Sequence, residues 1–332
     1  MAAFRKLVSL VIGSALLWAL AGCSGSSGGH SAEEKYYFVS ANIKIPYWQA
    51  AGAGFDRAAS QLRVKAEFVG PDRYDPKGQQ EELRRIIAQK PSGILISAAD
   101  PALLAPEIDA AIAAGIPVIT VDADAPKSKR LMFIGTDNYQ AGRLGGQVLV
   151  KHLRLRGNVV VFTMPGQANL DERLRGYSDA LAAYPQIKIV EVVDIQGNPA
   201  VAFDRAKQII GEGAKVDAFV CLEALAGKEV ADVLDRNKAN KIVVAMDTDE
   251  GTLNWIKQGR IVATIAQKPG TMGYFGLKML DDLHHHKVTP LDGNWSQNPN
   301  SPIPNFVDTG SMLIDKDNVD AFIRAQEAAA GK

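Results

Sequence analysis

The sequence predicts an α/β protein made of two doubly wound lobes, each with a parallel sheet covered by helices. From about Tyr36 onward, short apolar segments typical of strands alternate with amphipathic segments typical of helices. The strand segments are apolar on both faces, as expected for a parallel sheet between two helical layers. So many strands in a chain of 332 residues exceed one open sheet, and the length exceeds one typical domain of about 150 residues.

The predicted elements follow one another in a regular order. Strands are predicted at Tyr36–Ser40, Val64–Val69, Gly93–Ser97, Pro117–Val121, Leu131–Ile134, Val159–Thr163, Ile187–Val193, Ala218–Leu222, Ile242–Met246 and Ile261–Ile265. Helices are predicted between them at Tyr47–Leu62, Pro76–Lys90, Pro101–Ala114, Gln140–Leu153, Leu170–Tyr184, Val201–Ile210, Ala226–Asn237 and Thr271–Leu283. In such sheets ligands bind beyond the carboxyl ends of the strands, so functional side chains are expected directly after them.

The composition excludes several classes of function. Lysine and arginine total 37, and aspartate and glutamate also total 37, so no overall basic field attracts nucleic acid. A hydrophobic fraction of 47% with 22% charged residues is typical of a globular chain and not of a disordered or polytopic membrane protein. The two cysteines, Cys23 and Cys221, are too few for a disulfide framework or a thiolate-rich metal site. We expect no nucleic acid partner, no cofactor and no metal.

The N-terminus has the pattern of a bacterial secretion signal. A basic pair, Arg5 and Lys6, precedes an apolar run that is shorter than the roughly 20 residues of a membrane span. The run ends in Leu-Ala-Gly-Cys, which is similar to a lipobox, so we expect residues 1–22 to be a signal peptide and Cys23 to be lipidated. Residues 23–35 would be a flexible tether that holds the protein at a membrane, in the periplasm or at the cell surface, through the lipid only. An ordinary signal peptide with an unmodified cysteine is the alternative.

The residues that directly follow the predicted strands are polar, acidic or aromatic. They are Ser40 to Trp48, Asp122 with Asp124, Met164 to Arg173, Gln196 with Asn198, Glu223, Asp247 with Asp249, and Gln267. Carboxylates and amides bind paired hydroxyl groups, and aromatic rings pack on the C–H faces of a sugar. Because no histidine or cysteine is grouped with them, these side chains indicate a binding site for a small polyol.

Six motifs also occur in a recognisable order along the chain. They are Val39–Asn42 continuing to Pro46–Trp48, Gly115–Asp122, Ile134–Asn138 with Ala141–Gly142, Asp171–Arg173 before Gly176–Tyr177, Val244–Asp247, and Ala263–Gln267. Together they resemble the periplasmic sugar-binding proteins of ABC transporters, in the ribose-binding-like, lac-repressor-like type I group. The resemblance covers residues 36–328.

This resemblance implies an architecture and a role. It implies two lobes joined by a three-stranded hinge, with residues 36–136 plus 268–306 in the N-terminal lobe and 137–267 plus 307–328 in the C-terminal lobe. It further implies a monomeric receptor without enzymatic activity. Such a receptor closes on a small sugar or polyol and delivers it to an ABC permease.

The resemblance also implies which side chains hold the ligand. Two adjacent aromatic residues, Tyr47 and Trp48, would stack on the sugar, and polar groups would bind its hydroxyls. These polar groups are Asn42, Asp122, Asp124, Asn169, Arg173, Glu223, Asp247 and Gln267. Structural roles are the alternatives: the aromatics could belong to the core, Glu223 could complement a helix dipole, and Arg173 could pair with a neighbouring acid on the surface.

Three departures from the family pattern bear on the ligand. Ala123 stands where ribose-type members carry arginine, Leu222 stands where they place asparagine, and Met246 replaces an aromatic residue. These differences point away from ribose itself and leave other small polyols. The excess of acidic residues keeps an amino-sugar or another cationic ligand open as an alternative.

Enzymes of several classes lack their motifs in this sequence. No glycine fingerprint follows the first strand, and neither a Gly-x-Ser-x-Gly elbow nor a phosphate loop is present. Asp122 and Asp247 could still be the paired carboxylates of a glycoside hydrolase, and the receptor could serve a chemoreceptor or kinase instead of a permease.

His284 to His286 point in different directions around a helix, so they are expected to be solvated near its end. Asp249 is expected to cap the helix that follows it, and Cys221 to be a buried apolar residue.

Replacing the cysteine of the lipobox tests the predicted anchor. The variant Cys23→Ser lacks the thiol that would carry the lipid, so it should be unanchored or unprocessed. Intact-mass analysis of the membrane-extracted wild-type protein should give a chain that begins at Cys23 and carries a lipid mass. A mature N-terminus elsewhere, without lipid mass, would contradict the prediction.

Overall fold

The computed structural model describes residues 30–31 and 33–329, so the predicted signal peptide and Cys23 lie outside the described residues. The strands in this part of the chain are β1 Lys35–Val39, β2 Lys65–Val69, β3 Gly93–Ile96, β4 Val118–Val121, β5 Met132–Gly135, β6 Gly157–Thr163, β7 Ile187–Asp194, β8 Ala218–Cys221, β9 Ile242–Met246, β10 Ala263–Ala266, β11 Phe306–Asp308 and β12 Met312–Asp315. The α-helices are α1 Pro46–Leu62, α2 Pro76–Ile87, α3 Pro101–Ala113, α4 Asn138–Leu153, α5 Ala168–Leu181, α6 Pro199–Gly211, α7 Ala226–Arg236, α8 Glu250–Lys257, α9 Pro269–His285 and α10 Val319–Ala329. None of these helices is both long and apolar enough to cross a membrane.

The strands form two six-stranded sheets with equivalent strand orders. The first sheet has the order β11-β5-β4-β3-β1-β2, and the second has β12-β10-β9-β8-β6-β7. Neighbouring strands are parallel except for β10 and β12, which are antiparallel. The predicted fold class of two doubly wound parallel-sheet lobes is therefore confirmed, with an antiparallel edge strand in the second lobe.

Local sequence signals explain where the helices of the first lobe begin. Asp75 and Asp100 precede α2 and α3, and each accepts two backbone N–H groups of the first helical turn. Proline stands at the first position of both helices, where its missing N–H costs nothing. The helices cover both faces of the sheet, so that every residue of β3 and β4 is buried.

Helices α1 and α9 pack so closely that their backbones are in contact. A Cβ atom at Gly54 would lie 1.9 Å from the carbonyl oxygen of Gly270, and one at Gly273 would lie 2.1 Å from that of Ala51. Only glycine permits this approach. The contact holds α9, which follows the last parallel strand of the second lobe, against the first lobe.

The chain passes between the lobes three times, directly after β5, β10 and β11. The third passage comes two residues later than predicted, because Val307 and Asp308 still pair with β5 of the first sheet. Asp308 also accepts the backbone N–H of Asp137 through its Oδ1 atom at 3.0 Å, which joins the first and third passages. The short strands β11 and β12 lack a periodic sequence signal, so the sequence predicts no strand at either place.

The N-terminal boundary of the first lobe also differs from the prediction. Strand β1 begins at Lys35, and the preceding residue, Glu34, is already buried. The backbone N–H of Lys65 donates to the carbonyl oxygen of Glu34 at 3.1 Å. The last residues of the tether predicted at 23–35 are therefore wrong, because Glu34 and Lys35 already belong to the packed lobe.

Adding one methyl group between α1 and α9 tests the close helix packing. Gly54→Ala should destabilise the protein by about 1–3 kcal/mol, because the two backbones must move apart. The matched control is Gly211→Ala at the exposed end of α6, where an added Cβ has no neighbour within 4 Å. That control should be neutral or up to about 1 kcal/mol more stable. Urea unfolding of both variants measures the difference, and equal effects would contradict the packing argument.

Candidate ligand-binding site

A cavity lies between the two lobes at the carboxyl ends of both sheets. It brings together nine of the ten side chains that the sequence analysis singled out for ligand binding: Asn42, Tyr47, Trp48, Asp122, Asn169, Arg173, Glu223, Asp247 and Gln267. The first lobe contributes four of them and the second lobe five. The cavity is therefore shared by both lobes.

Two aspartates hold equivalent places in the two lobes. Asp122 follows β4 and Asp247 follows β9, each the third strand of its sheet. Their backbone N–H groups donate to the carbonyl oxygens of Ile134 and Ile265 on the next strand. Both residues have left-handed backbone angles, with φ of 62° and 68°. This conformation is uncommon outside glycine, and aspartate tolerates it better than most residues. Strained backbone of this kind clusters at functional sites.

Asp122 binds polar groups from both lobes. The hydroxyl of Tyr47 donates to its Oδ1 atom at 2.5 Å, and the amide of Asn169 in the second lobe donates to its Oδ2 atom at 3.3 Å. Burial raises the pKa of the Asp122 carboxyl group, while the nearby charge of Arg173 and the hydrogen bond from Tyr47 act in the opposite direction. Asp122 therefore fixes the ring of Tyr47 and also joins the lobes across the cavity.

The two adjacent aromatic residues have different neighbours. Trp48 packs edge-on against the core residue Phe38, with ring centroids 6.0 Å apart. The rings of Tyr47 and Trp48 are themselves perpendicular, with centroids 5.0 Å apart. Both side chains are half-buried and line the cavity, so Trp48 contacts the core and the cavity at the same time.

Arg173 is a buried cation, with only 2% of its surface exposed. Its Nε and Nη2 atoms donate to Oδ1 of Asn138 at 2.9 and 2.6 Å, and Nη2 also donates to Oε1 of Gln267 at 3.1 Å. Its Nη1 atom donates to the carbonyl oxygen of Leu222 at 2.5 Å. The alternative of a surface ion pair with Glu172 is wrong, because Glu172 pairs with Arg175.

Gln267 connects this network to the passages between the lobes. Its Nε2 atom donates to Oδ1 of Asp247 at 2.9 Å, and its Oε1 atom accepts from the hydroxyl of Thr136 at 2.8 Å. Thr136 and Gln267 lie on the first and second passages, and Asn138 begins the helix after the first. Groups of the cavity are thus hydrogen-bonded to the segments that connect the two lobes.

Two acids of the second lobe are buried without a direct cationic partner among the described residues. Burial raises the pKa of Asp247 from 3.8 to about 7, despite the opposing effects of Arg173 and Gln267. Burial likewise raises the pKa of Glu223 from 4.5 to about 7. The Glu223 carboxylate accepts the backbone N–H groups of Leu225 and Ala226 at 2.6 and 2.8 Å. Glu223 therefore holds the turn that leads into α7 and lines the cavity at the same time.

Several oxygen atoms at the cavity have no hydrogen-bond partner among the described residues. They are Oγ of Ser40, Oδ1 of Asn42 and Oδ1 of Asn169, all buried. A buried polar atom without a partner costs about 1–3 kcal/mol, and native proteins rarely carry several of them close together. Their grouping indicates that this cavity takes a polar ligand with several hydrogen-bonding groups.

Asp124 is the one predicted site residue that does not line the cavity. Its carboxylate forms an ion pair with Arg130, whose side chain is only 4% exposed, and accepts from the hydroxyl of Thr120 at 2.6 Å. The turn after β4 sends Asp122 into the cavity and Asp124 toward the edge of its own lobe. Asp249, two residues after Asp247, caps α8 as predicted.

Two polar residues of the cavity, Tyr74 and Ser97, lie outside the candidate segments of the sequence analysis, whereas Ser40 and Gln167 lie inside those segments but were not named as ligand-binding residues. Tyr74 and Gln167 come from different lobes, and Nε2 of Gln167 donates to the hydroxyl of Tyr74 at 2.9 Å. Ser97 directly follows β3 and could have been found by the rule that ligands bind at strand ends. Tyr74 lies in the loop after β2, five residues beyond the strand, where no sequence signal marks it.

Comparison with known proteins agrees with this fold and site. A family model for the periplasmic binding protein domain matches residues 36–287, and the chain belongs to this family. The chain is 26% identical over 286 residues to the D-allose-binding periplasmic protein of Escherichia coli K12, which covers 82% of this chain and 92% of that protein.

Two solved structures are also similar. AraP, an arabinose binding protein from Geobacillus stearothermophilus, is 35% identical with a TM-score of 0.71, over 87% of this chain and 99% of that one. The sugar-binding protein of a sugar ABC transporter from Bacillus halodurans is 34% identical with a TM-score of 0.76, over 87% of this chain and 100% of that one. Both similarities extend over the two lobes.

The buried acid of the second lobe predicts a pH dependence of stability. Because the pKa of Asp247 is higher in the folded protein than in the unfolded chain, the folded state retains a proton that the unfolded state loses. The ligand-free wild type should therefore lose stability relative to Asp247→Asn as pH rises from about 4 to about 7. Thermal unfolding of both proteins across this range measures the difference, and a difference that does not change with pH would contradict the raised pKa.

Proposed function

We propose that the protein is an extracytoplasmic receptor that binds a small neutral sugar or polyol between its lobes and delivers it to an ABC importer. The observation that carries this proposal is the cavity itself, where aspartates from equivalent strands of both lobes stand among aromatic rings and unpartnered polar atoms. Alternating hydroxyl and C–H groups of a sugar match such a lining. The similar proteins are named for the sugars they bind or for ABC transport, which supports the same class of ligand.

The charges of the cavity favour a neutral ligand over a cationic one. Burial raises the pKa of Glu223 and of Asp247 to about 7, so these two acids carry less negative charge near neutral pH than the composition of the site suggests. The buried guanidinium of Arg173 offsets part of the remaining negative charge. An amino-sugar would meet this cation, whereas a neutral polyol would meet both donors and acceptors.

Binding would act by closing the lobes around the ligand. The first lobe offers Tyr47, Trp48 and Asp122, and the second offers Arg173 and Asp247. A ligand that contacts both groups stabilises the closed arrangement relative to an open one, so its affinity reflects differential binding to two states. The role is that of a receptor and not of an enzyme, since the binding groups are arranged to hold hydroxyls and the similar proteins are named as sugar-binding proteins.

The predicted lipidation of Cys23 would place this receptor beside its permease. A lipid at the end of a short tether keeps the two lobes in the aqueous space outside the cytoplasm and limits diffusion to the membrane surface. The receptor would act there as a monomer, since both walls of the cavity come from one chain.

A ligand panel followed by variants of the cavity tests this function. Among pentoses, hexoses, polyols and amino-sugars, at least one neutral sugar should raise the unfolding temperature, by a stabilisation of about 2.7 kcal/mol at 100 times its Kd. Asp247→Ala should then weaken binding by about 1.5–3 kcal/mol, the contribution of a hydrogen bond to a charged group. Trp48→Ala should cost a smaller amount, about 0.5–1.5 kcal/mol beyond the lost contact area. Isothermal titration calorimetry measures both values.

Asp124→Asn provides the matched control. This aspartate belongs to the same turn as Asp122 but pairs with Arg130 away from the cavity, so its loss should lower stability and leave the affinity unchanged. NMR of the ligand after incubation should show it unaltered. Recovery of a hydrolysed product would show that the protein is a glycosidase and not a receptor. If Asp247→Ala binds the ligand with wild-type affinity, the ligand binds elsewhere.

A further inference from the structure

A second cluster of polar side chains lies in the first lobe, where the described chain begins. His30 and Glu34 precede β1, and Asp281 and His285 stand one turn apart near the end of α9. One potential ligand atom from each residue lies within 4.8 Å of the corresponding atoms of the other three. We propose that these four residues form a binding site for a divalent transition-metal ion of the Zn²⁺ type.

The spacing of the four side chains fits a compact coordination shell. Nε2 of His30 lies 3.0 Å from Oδ1 of Asp281, and Nε2 of His285 lies 3.2 Å from Oε2 of Glu34 and 3.7 Å from Oδ1 of Asp281. Tetrahedral ligands about 2.0–2.2 Å from an ion are separated from one another by about 3.3–3.6 Å. These three separations differ from that range by a few tenths of an ångström, and all four donor atoms lie within 4.8 Å of one another. The side chains therefore need to close by at most about 1 Å to surround one ion.

The chemistry of the donors favours a borderline metal ion. Two imidazole nitrogens and two carboxylate oxygens suit Zn²⁺ and its neighbours in the first transition series. Ca²⁺ and Mg²⁺ prefer shells made of oxygen only. The mixture of donors thus distinguishes this cluster from an ordinary group of acidic residues.

Charge and burial point in the same direction. The side chains of Glu34 and Asp281 are only 7% and 13% exposed. Among the described residues, no lysine or arginine pairs with either carboxylate, and their partners in ion pairs are histidines. A histidine supplies a positive charge only when it is protonated. A divalent ion would balance both buried carboxylates while the imidazoles remain neutral, the form in which they bind metals.

The carboxylates are also oriented by outer partners, as metal ligands commonly are. The hydroxyl of Tyr36 donates to Oδ1 of Asp281 at 3.1 Å. The backbone N–H of Ser31 donates to Oε1 of Glu34 at 2.6 Å and leaves Oε2 facing His285. Such outer contacts fix the direction of a ligand and raise metal affinity.

This grouping could not be seen in the sequence, which led us to expect no metal site. The two halves of the cluster lie far apart in the sequence. His30 is 251 residues from its partner Asp281, and Glu34 is 251 residues from its partner His285. Of the three consecutive histidines, only His285 belongs to the cluster, and His286 is exposed. An ion held here would cross-link the segment that follows the predicted tether to the last turn of α9.

Metal titration of the processed, untagged protein tests the site. After treatment with EDTA, isothermal titration calorimetry with Zn²⁺ should show one ion bound per chain. His30→Ala and His285→Ala should each lower the affinity by more than the roughly 10–100-fold expected from losing an outer partner, and Tyr36→Phe should fall within that range. His286→Ala is the matched control and should bind like the wild type.

Spectroscopy and unfolding distinguish a metal site from a set of ion pairs. Co²⁺ in place of Zn²⁺ should give visible absorption bands of tetrahedral coordination, which should be lost in His285→Ala. Circular dichroism should show that the histidine variants remain folded, and Glu34→Gln offers a second test with a smaller change of shape. The proposal is overturned if Zn²⁺ shows no saturable binding, if His286→Ala weakens it as much as His285→Ala, or if the variants lose stability equally with and without Zn²⁺.

Discussion

The arrangement of the cavity depends on one buried cation, the guanidinium of Arg173. A buried charge is tolerated only when its donors are hydrogen-bonded, and this need is met by groups that define the site. Asn138 and Gln267 accept its hydrogen bonds from the passages between the lobes, and Leu222 accepts from the end of β8. Its charge also opposes the rise in pKa that burial causes at Asp122 and Asp247. Hinge, cavity wall and acidic groups are therefore coupled through one side chain.

The equivalence of the two lobes explains why the acidic groups face each other. The sheets have matching strand orders, and the same left-handed turn follows β4 and β9. Each turn is held by a backbone hydrogen bond to the neighbouring strand and presents an aspartate, Asp122 or Asp247, toward the other lobe. Passing three times between the lobes brings these two turns to opposite walls of one cavity. The symmetry ends at the edges, where β11 is parallel and β12 antiparallel.

The residues that line the cavity contribute less to the stability of the fold than the residues of the surrounding cores. The cores are close-packed, to the point that α1 and α9 touch backbone to backbone at Gly54. The cavity instead combines strained aspartates, acids with raised pKa values and unpartnered oxygens, each of which costs stability. Local conflicts of this kind are expected where a protein is shaped for a ligand and not for stability alone.

The sequence by itself determined the fold class, most strand and helix positions, and nine of the ten side chains proposed at the cavity. Apolar periodicity is local and therefore marks the strands and helices, and the candidate segments of a parallel sheet are those that follow the strands. The resemblance to the sugar-binding family then selected the individual side chains within these segments. Only the tertiary structure decided that Asp124 turns away to Arg130 and that Tyr74 reaches Gln167 across the cleft. It alone also brought His30 beside Asp281. These contacts join segments far apart along the chain or depend on the rotation of a single turn, and neither property leaves a pattern in neighbouring residues.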